Sequence, residues 1–381
     1  MNDYSVRYIK GEIEEFNKIR QEWDSLVNSV ENKRYFHLYQ WYKSYLDTIE
    51  DEHQNVYFFL LYEGNVPIGI LPLKRVKKKE YGIKFDVLEV PDNPYIDLSD
   101  FIIKKDDEIK DFIILLKAYL KNNLNIPWDY ICLPRLLEDS NTFRLLNLSK
   151  KQSATVKIIG KCDYIPCTKY ESIKEKMSKN FRGNLRKARN KLLKENNFEL
   201  LSTRDEKKLY EYFGEFLDAE ASGWKGEGGT NTAIRSSQKI ERYYRCLLKN
   251  YSEINSCEIN LLRIDNKCVA GQFCLLVEDS VYILKIGFDE KYYKLAPGNM
   301  LLENLIQRYG EDKKIKYINL LTGSEWHQDW KPLSYNVFKV YIFNDTKKGL
   351  LGFNLTKVKK LLGPVYRRIL KPKYIERRRK D

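Results

Sequence analysis

One pattern of strands and turns occurs once in each half of the 381 residues of this chain. Residues 60–69 and 262–271 each indicate a strand, a polar turn led by an acidic residue, and a second apolar strand that ends in glycine. Residues 128–133 and 315–320 each follow a helical stretch and have the composition of a buried strand. This repeated order predicts two similar α/β units, each with a mixed, mostly antiparallel central sheet flanked by helices.

The repeat also predicts how the chain is divided. We expect an N-terminal domain over residues 1–165, a C-terminal domain over residues 166–345 and a basic tail over residues 346–381. The tail has 13 lysines and arginines against two acidic residues, so it carries +11 of the net charge of +14. A nucleic-acid-binding protein usually spreads its positive charge over a folded face. We therefore expect no nucleic-acid partner, and a tail that either extends into solvent or contacts an anionic membrane surface.

The cysteine and histidine content argues against a metal site. The seven cysteines are scattered without a C-x-x-C pair, and there are only three histidines. The N-terminus lacks a signal-peptide pattern, and no apolar run approaches the roughly 20 residues of a membrane-spanning helix. These features predict a cytoplasmic protein with reduced thiols.

A strongly basic helix is predicted between the two units. Residues 174–194 contain nine basic residues and one acidic residue, and Ser178 is a suitable N-cap. Apolar residues recur at helical spacing at Phe181, Leu185, Ala188 and Leu192. Arg182, Arg186 and Arg189 form a neighbouring stripe, which is either a solvated face or a row of guanidinium groups for phosphate recognition.

A second candidate site follows a predicted strand over residues 281–288. The loop over residues 289–298 ends in Pro-Gly and opens a helix that has an apolar stripe. The free N–H groups and the dipole of a helix N-terminus favour an anion. Lys294 lies just before this helix and adds a positive charge.

Residues 293–302 resemble the pyrophosphate-binding segment of the GNAT (GCN5-related N-acetyltransferase) acyltransferases. Residues 178–189, 220–226 and 321–327 resemble the GNAT-like family related to cellulose-biosynthesis and Fem-type transferases, although Ser324 and His327-Gln328 replace its usual Asp and Tyr-Lys. The resemblance implies that coenzyme A is bound by backbone at the helix start and along the preceding strand. The residues in this implied site are Ile286, Gly287, Phe288, Lys294, Leu295, Ala296, Pro297, Gly298 and Asn299.

Some members of that family resemble sugar N-acyltransferases. The resemblance therefore implies transfer of an acyl group from acyl-CoA to the amino group of a nucleotide-linked amino sugar, for surface-polysaccharide synthesis. Both ligands would carry pyrophosphate, which suits two clusters of donors. The candidate acceptor-binding residues are Arg182, Arg186, Arg189, Trp224, Lys225 and Trp326.

The chemistry needs an amine that has lost a proton before or during its attack on the thioester. Glu220, Glu325 and His327 are the candidate bases, and Tyr293 is the candidate acid for the leaving thiolate. No Ser/His/Asp order or reactive-cysteine context supports a covalent acyl-enzyme, so we expect direct transfer.

Two alternatives remain open from the sequence. A Fem-like enzyme would use aminoacyl-tRNA to extend a cell-wall peptide, and the basic helix would then contact RNA phosphates. A non-enzymatic protein would use its basic tail to dock on a membrane or a polyanion, and would bind nothing at residues 294–299.

Overall fold

The fold is given by a computed structural model. It describes residues 4–48, 55–91, 98–104, 109, 111–124, 126–149, 153–194, 197–223, 225–226 and 228–359. The strands are β1 (Tyr4–Lys10), β2 (Val56–Glu63), β3 (Val66–Glu80), β4 (Ile83–Glu89), β5 (Ile102–Ile103), β6 (Tyr130–Leu137), β7 (Ala154–Pro166), β8 (Phe198–Thr203), β9 (Cys257–Ile264), β10 (Lys267–Val277), β11 (Ser280–Phe288), β12 (Tyr317–Asn319) and β13 (Leu333–Phe343). The helices are α1 (Ile13–Lys18), α2 (Arg20–Ser29), α3 (Tyr39–Thr48), α4 (Phe112–Asn123), α5 (Asn141–Leu148), α6 (Tyr170–Lys176), α7 (Lys179–Leu192), α8 (Glu206–Ala221), α9 (Gln238–Ser252) and α10 (Pro297–Glu311).

The predicted repeat is present in both halves. The β2–β3 and β9–β10 hairpins contain the two predicted turns, and Asp265 and Asn266 both have positive φ, as a type I′ turn requires. In the first half α4 connects the parallel strands β4 and β6, and in the second half α10 connects the parallel strands β11 and β12. The mixed, mostly antiparallel α/β class is therefore confirmed.

The expectation of two separate sheets is wrong. Twelve strands follow one path in the order β1-β2-β3-β4-β6-β13-β7-β12-β11-β10-β9-β8, and β5 pairs with β3. The halves merge because β13, from the C-terminal half, lies between β6 and β7 and pairs with both. The domain limits at residues 165 and 345 stay a prediction.

Helices cover both faces of this sheet. On one face, α1, α2 and α3 share a buried cluster with α8 and α9. Asn250 in α9 donates a hydrogen bond to Ser44 in α3 at 2.8 Å, and the Tyr251 hydroxyl donates to the carbonyl of Tyr35 at 2.6 Å. The core on this face therefore crosses from one half to the other. The other face is covered by α7 and α10 in the second half and by α4 and α5 in the first.

Residues 347–359 form a further helix beyond β13. Its Phe353 packs beside Phe343 and joins a small cluster that includes Phe85. Within the described ranges, no helix is long and apolar enough to cross a membrane. The remainder of the predicted tail, residues 360–381, lies outside the described residues.

Candidate functional site

The site begins where two parallel strands separate. β11 pairs with β12 only from Ser280 to Tyr282, and then continues to Phe288. Over residues 283–288 the edge of β11 that faces β12 has no strand partner in the described part of the chain. Ile286, Gly287 and Phe288, three of the residues predicted to hold coenzyme A, lie on this open stretch.

Gly287 is required by the close approach of α8. A Cβ atom at Gly287 would lie 2.6 Å from the Cβ of Glu220. Glu220 is buried, with its Oε2 accepting a 2.9 Å hydrogen bond from the Ile234 N–H. Its Oε1 lies 3.5 Å from the Nζ of Lys225, which also donates a 2.6 Å bond to the Ile286 carbonyl. Glu220 and Lys225 thus join the loop after α8 to the open strand. The neighbouring Trp224 lies outside the described residues.

The turn after β11 is fixed by Asp289. Burial alone would raise the pKa of Asp289, but hydrogen bonds from Lys267 and from the Lys291 N–H outweigh it and lower the pKa. A 3₁₀ helix over Glu290–Leu295 follows and leaves Tyr293 62% exposed, with the Lys294 Nζ 5.8 Å from its ring centre. The turn therefore presents Tyr293 and Lys294 to solvent just before α10.

The first turn of α10 leaves backbone donors free. Ala296 precedes the helix in the left-handed conformation, and Pro297 has no N–H to donate. The Met300 N–H bonds to the Ala296 carbonyl, so Gly298 and Asn299 hold the orphan amides of this turn. Neither amide has a hydrogen-bond partner among the residues that the structure describes. The start of α10 therefore has two free backbone donors, and its use as an anion site stays a prediction.

The basic helix lies beside this terminus. Ser178 caps α7 by accepting a 3.1 Å hydrogen bond from the Phe181 N–H. Phe181 packs edge-on against Trp330 at 5.2 Å, and the Trp330 Nε1 donates to the Asn299 Oδ1 at 3.1 Å. The start of α7 is thereby connected to the first turn of α10. The predicted apolar stripe is confirmed, because all four of its members are buried: Phe181, Leu185, Ala188 and Leu192.

The three predicted arginines have different environments. Arg189 forms a 2.5 Å ion pair with Glu303, a residue of α10 that is only 4% exposed. Arg182 and Arg186 are exposed and have no ion pair within the described residues. Positions three and seven residues apart share a helix face, so Arg182 and Arg186 lie on the same side of α7 as Arg189. Arg189 connects α7 to α10, while Arg182 and Arg186 are exposed on the part of α7 that begins beside the first turn of α10.

A buried carboxylate fixes the predicted strand-end motif. Asp163 in β7 is fully buried, and its Oδ2 lies 3.1 Å from both the His327 Nδ1 and the Gln328 Nε2. Its Oδ1 accepts a 2.5 Å bond from the Ser334 hydroxyl. Burial lowers the pKa of His327, and the nearby Asp163 partly offsets this effect. His327 is thus held in place by a residue that we did not predict, whose only sequence signal is an acid inside an apolar strand.

Two other candidate residues of this motif, Glu325 and Trp326, are exposed to solvent. Glu325 is exposed and has no hydrogen bond or ion pair in the described part of the chain. Trp326 is 40% exposed and packs edge-on against His327 at 4.3 Å. The structure therefore separates the candidate bases into two buried residues, Glu220 and His327, and one exposed residue, Glu325.

Part of β7 has no strand partner on its β12 side, which the sequence did not reveal. β7 pairs with β13 along its length but with β12 only at Tyr164–Pro166. Residues 157–161 are exposed, with Ile158 at 59% and Ile159 at 43%. Two apolar side chains at an unpaired strand edge inside a sheet are unusual for a purely structural strand.

Comparison with known proteins agrees with this geometry. Residues 179–332 match the protein family described as Acetyltransferase (GNAT) domain, whereas no curated protein sequence matches the chain. The crystal structure of FemX is similar to the chain with a TM-score of 0.54 and 12% identity, over 87% of this chain and 96% of that one.

Two further structures, each with a TM-score of 0.50, are also similar. L-PGS from Bacillus licheniformis is 12% identical over 88% of this chain and 96% of its own. A protein of unknown function from Bacteroides thetaiotaomicron is 14% identical over 89% of this chain and 100% of its own. At these identities the likeness shows the fold alone. The family match supports a GNAT-type acetyltransferase domain within residues 179–332.

Proposed function

We propose that this protein is an acyl-CoA-dependent N-acyltransferase whose donor site lies between β11 and α10. The observation that carries the proposal is the continuity of an open strand edge with a helix N-terminus that has two free amides. The amides of a pantetheine arm can pair with the open edge of β11, as an added strand would. The pyrophosphate would then bind the Gly298 and Asn299 N–H groups.

The exposed arginines support an anionic ligand at the same place. Arg182 and Arg186 lie on the same side of α7 as Arg189, and no carboxylate among the described residues pairs with them. Their guanidinium groups can form charge-assisted hydrogen bonds with a phosphate on the donor or on the acceptor. Arg189 is excluded from this role in our proposal, because Glu303 already binds it.

The proposed reaction is direct transfer. The amine nitrogen attacks the thioester carbonyl carbon, the new C–N bond forms, and the C–S bond breaks to release the thiolate of coenzyme A. Glu325 is our candidate acceptor for the proton of the amine, because it is the candidate base that is exposed and that no described residue pairs with. Tyr293, also exposed, is our candidate donor of a proton to the thiolate. The described residues contain no group of three potential metal ligands.

We propose a nucleotide-linked amino sugar as the acceptor, as the resemblance of the motifs to sugar N-acyltransferases implies. Lys225 beside β11 and the exposed Trp326 are candidate contacts for it. A Fem-like transfer from aminoacyl-tRNA is the second candidate, favoured by the extent of the likeness to FemX. The two candidate functions predict different co-purifying ligands. A sugar N-acyltransferase requires coenzyme A, whereas a Fem-like transferase requires RNA.

Gly298 provides the direct test of the donor site. A Cβ atom there would meet only the Ile286 Cδ1 at 3.5 Å, an ordinary contact, so Gly298→Leu is compatible with the fold. The new side chain would instead occupy the space of a phosphate at the helix start. We expect isothermal calorimetry with acetyl-CoA to show affinity reduced about tenfold or more, the effect of losing roughly 1.4 kcal/mol.

The matched control is Gly214→Leu in α8, where a Cβ atom would meet no atom within 4 Å. This variant also replaces a helical glycine by leucine, but in a different helix from α10. Unchanged affinity for Gly298→Leu, or equal losses in both variants, would rule out the proposed donor site.

A further inference from the structure

The helix over residues 347–359 is attached to the first half of the protein by one face. The Thr346 hydroxyl accepts a 2.9 Å hydrogen bond from the Gly349 N–H at the start of this helix. Gly349 allows the close approach, because a Cβ atom there would lie 2.3 Å from the Asn344 carbonyl oxygen and 2.8 Å from that of Asp129. At Gly352 a Cβ atom would lie 3.2 Å from the rings of Phe343 and Phe85. The orientation of the helix is therefore fixed.

The opposite side of this helix exposes three aliphatic side chains. Leu350, Leu351 and Val358 are 44%, 45% and 48% exposed. Positions 350, 351, 354 and 358 lie on one side of a helix, and three of these four positions are aliphatic, with the exposed Asn354 between Leu351 and Val358. The sequence continues the same spacing with Leu361 and Leu362, outside the described residues. A helix that faces only water would normally carry polar residues at most of these positions.

These aliphatic side chains are flanked by positive charge from two separate segments. The helix contributes exposed Lys347, Lys348, Lys357 and Lys359, with no acidic residue over residues 346–359. The Lys359 Nζ lies 5.3 Å from the ring centre of Tyr81, at the tip of the β3–β4 hairpin. That tip adds exposed lysines at positions 77, 79 and 84, and Tyr81 is itself 44% exposed. Residues 360–381 follow with nine basic and two acidic residues.

We propose that this surface, formed by residues 77–84 and 347–359, docks the protein on an anionic phospholipid bilayer. The lysines match the charge of the headgroups, and the stripe of Leu350, Leu351 and Val358 would enter the boundary between headgroups and acyl chains. A nucleic acid would use the lysines but would leave the aliphatic stripe in water. A second copy of the chain would bring the same positive charge to the contact. The bilayer is thus the partner that satisfies both properties of the surface.

Vesicle co-sedimentation of the full chain tests this proposal. We expect binding to vesicles of phosphatidylcholine mixed with phosphatidylglycerol, weak binding to phosphatidylcholine alone, and loss of binding at high salt. The double variant Leu350→Ser/Leu351→Ser should lower the partition coefficient about tenfold or more, because each leucine contributes by leaving water. Leu148→Ser is the matched control, since Leu148 is also 44% exposed but lies in α5.

Three results would overturn the proposal. The first is equal binding to the neutral and the anionic vesicles. The second is a double variant that binds vesicles like the unmodified protein. The third is a protein that does not bind vesicles but shows one of two other properties. Either it binds a short RNA, or its oligomeric state in size-exclusion chromatography changes in the leucine double variant. The vesicle assay does not depend on acyl-transfer activity, so its result does not decide whether the proposed donor site is correct.

Discussion

Glu220 and Glu325 were predicted for the same role but have opposite surroundings. The carboxylate of Glu220 is buried between a backbone N–H and Lys225, whereas that of Glu325 is exposed. We expect Glu325→Gln to lower kcat by about 10²–10³-fold while both substrates still bind, as loss of a general base does. The free energy of unfolding should not change, since no described contact is lost.

The control for this variant lies in the same 3₁₀ helix. Asp329 is also exposed, so Asp329→Asn removes an equal charge a few residues away. It should retain kcat. If Glu325→Gln retains kcat as well, Glu325 is not the base, and the proton leaves the amine through water.

His327 should make stability depend on pH. Burial lowers its pKa below the value of about 6.5 that it has when unfolded. The unfolded chain therefore binds a proton first as the pH falls. The contribution of the neutral, buried ring is present above about pH 6.5 and is lost progressively as the pH falls from there to the lowered pKa of the folded state. Urea midpoints at neutral and mildly acidic pH should differ less in His327→Gln than in the unmodified protein.

The pH dependence should decrease in this variant but not vanish, because burial also lowers the pKa of His37. A variant whose two midpoints differ as much as those of the unmodified protein would contradict the buried, neutral state of His327.

At the scale of elements, α7 shows what local sequence can and cannot predict. Its N-cap and its apolar stripe follow from short-range spacing, and the structure confirms both. The difference between Arg189 and the other two arginines could not be predicted, because Glu303 is 114 residues away in sequence. Asp163 and the open edge of β7 were missed for the same reason, since their partners are set by the tertiary fold.

The division of the arginines gives a prediction for α7. Arg182→Glu or Arg186→Glu should raise the KM for the phosphate-bearing substrate severalfold and leave thermal stability unchanged. Arg189→Ala should do the reverse and lower the free energy of unfolding by about 1 kcal/mol, because it removes the cationic partner of the buried Glu303, which then keeps only the hydrogen bond from the Tyr170 hydroxyl. Normal kinetics in both reversal variants would show that Arg182 and Arg186 are only a solvated face.

At the scale of the whole molecule, the shared sheet should make unfolding cooperative. β13 pairs with β6 on one side and β7 on the other, and α3 packs against α9. We expect a single calorimetric transition for the full chain, and no stable fold for residues 1–165 or 166–345 alone. Two separated transitions, or a folded fragment, would mean that the halves are independent despite the common sheet.

The position of β13 also determines when the N-terminal half can complete its sheet during synthesis. Strand β6 ends at Leu137, but its neighbour Val337 leaves the ribosome 200 residues later. Until then one edge of β6 is unpaired, and such an edge invites pairing with another nascent chain. Closing a loop of this length also slows folding. A chaperone that shields this edge should therefore raise the yield of native protein. It should have less effect on the free energy of unfolding of the folded protein.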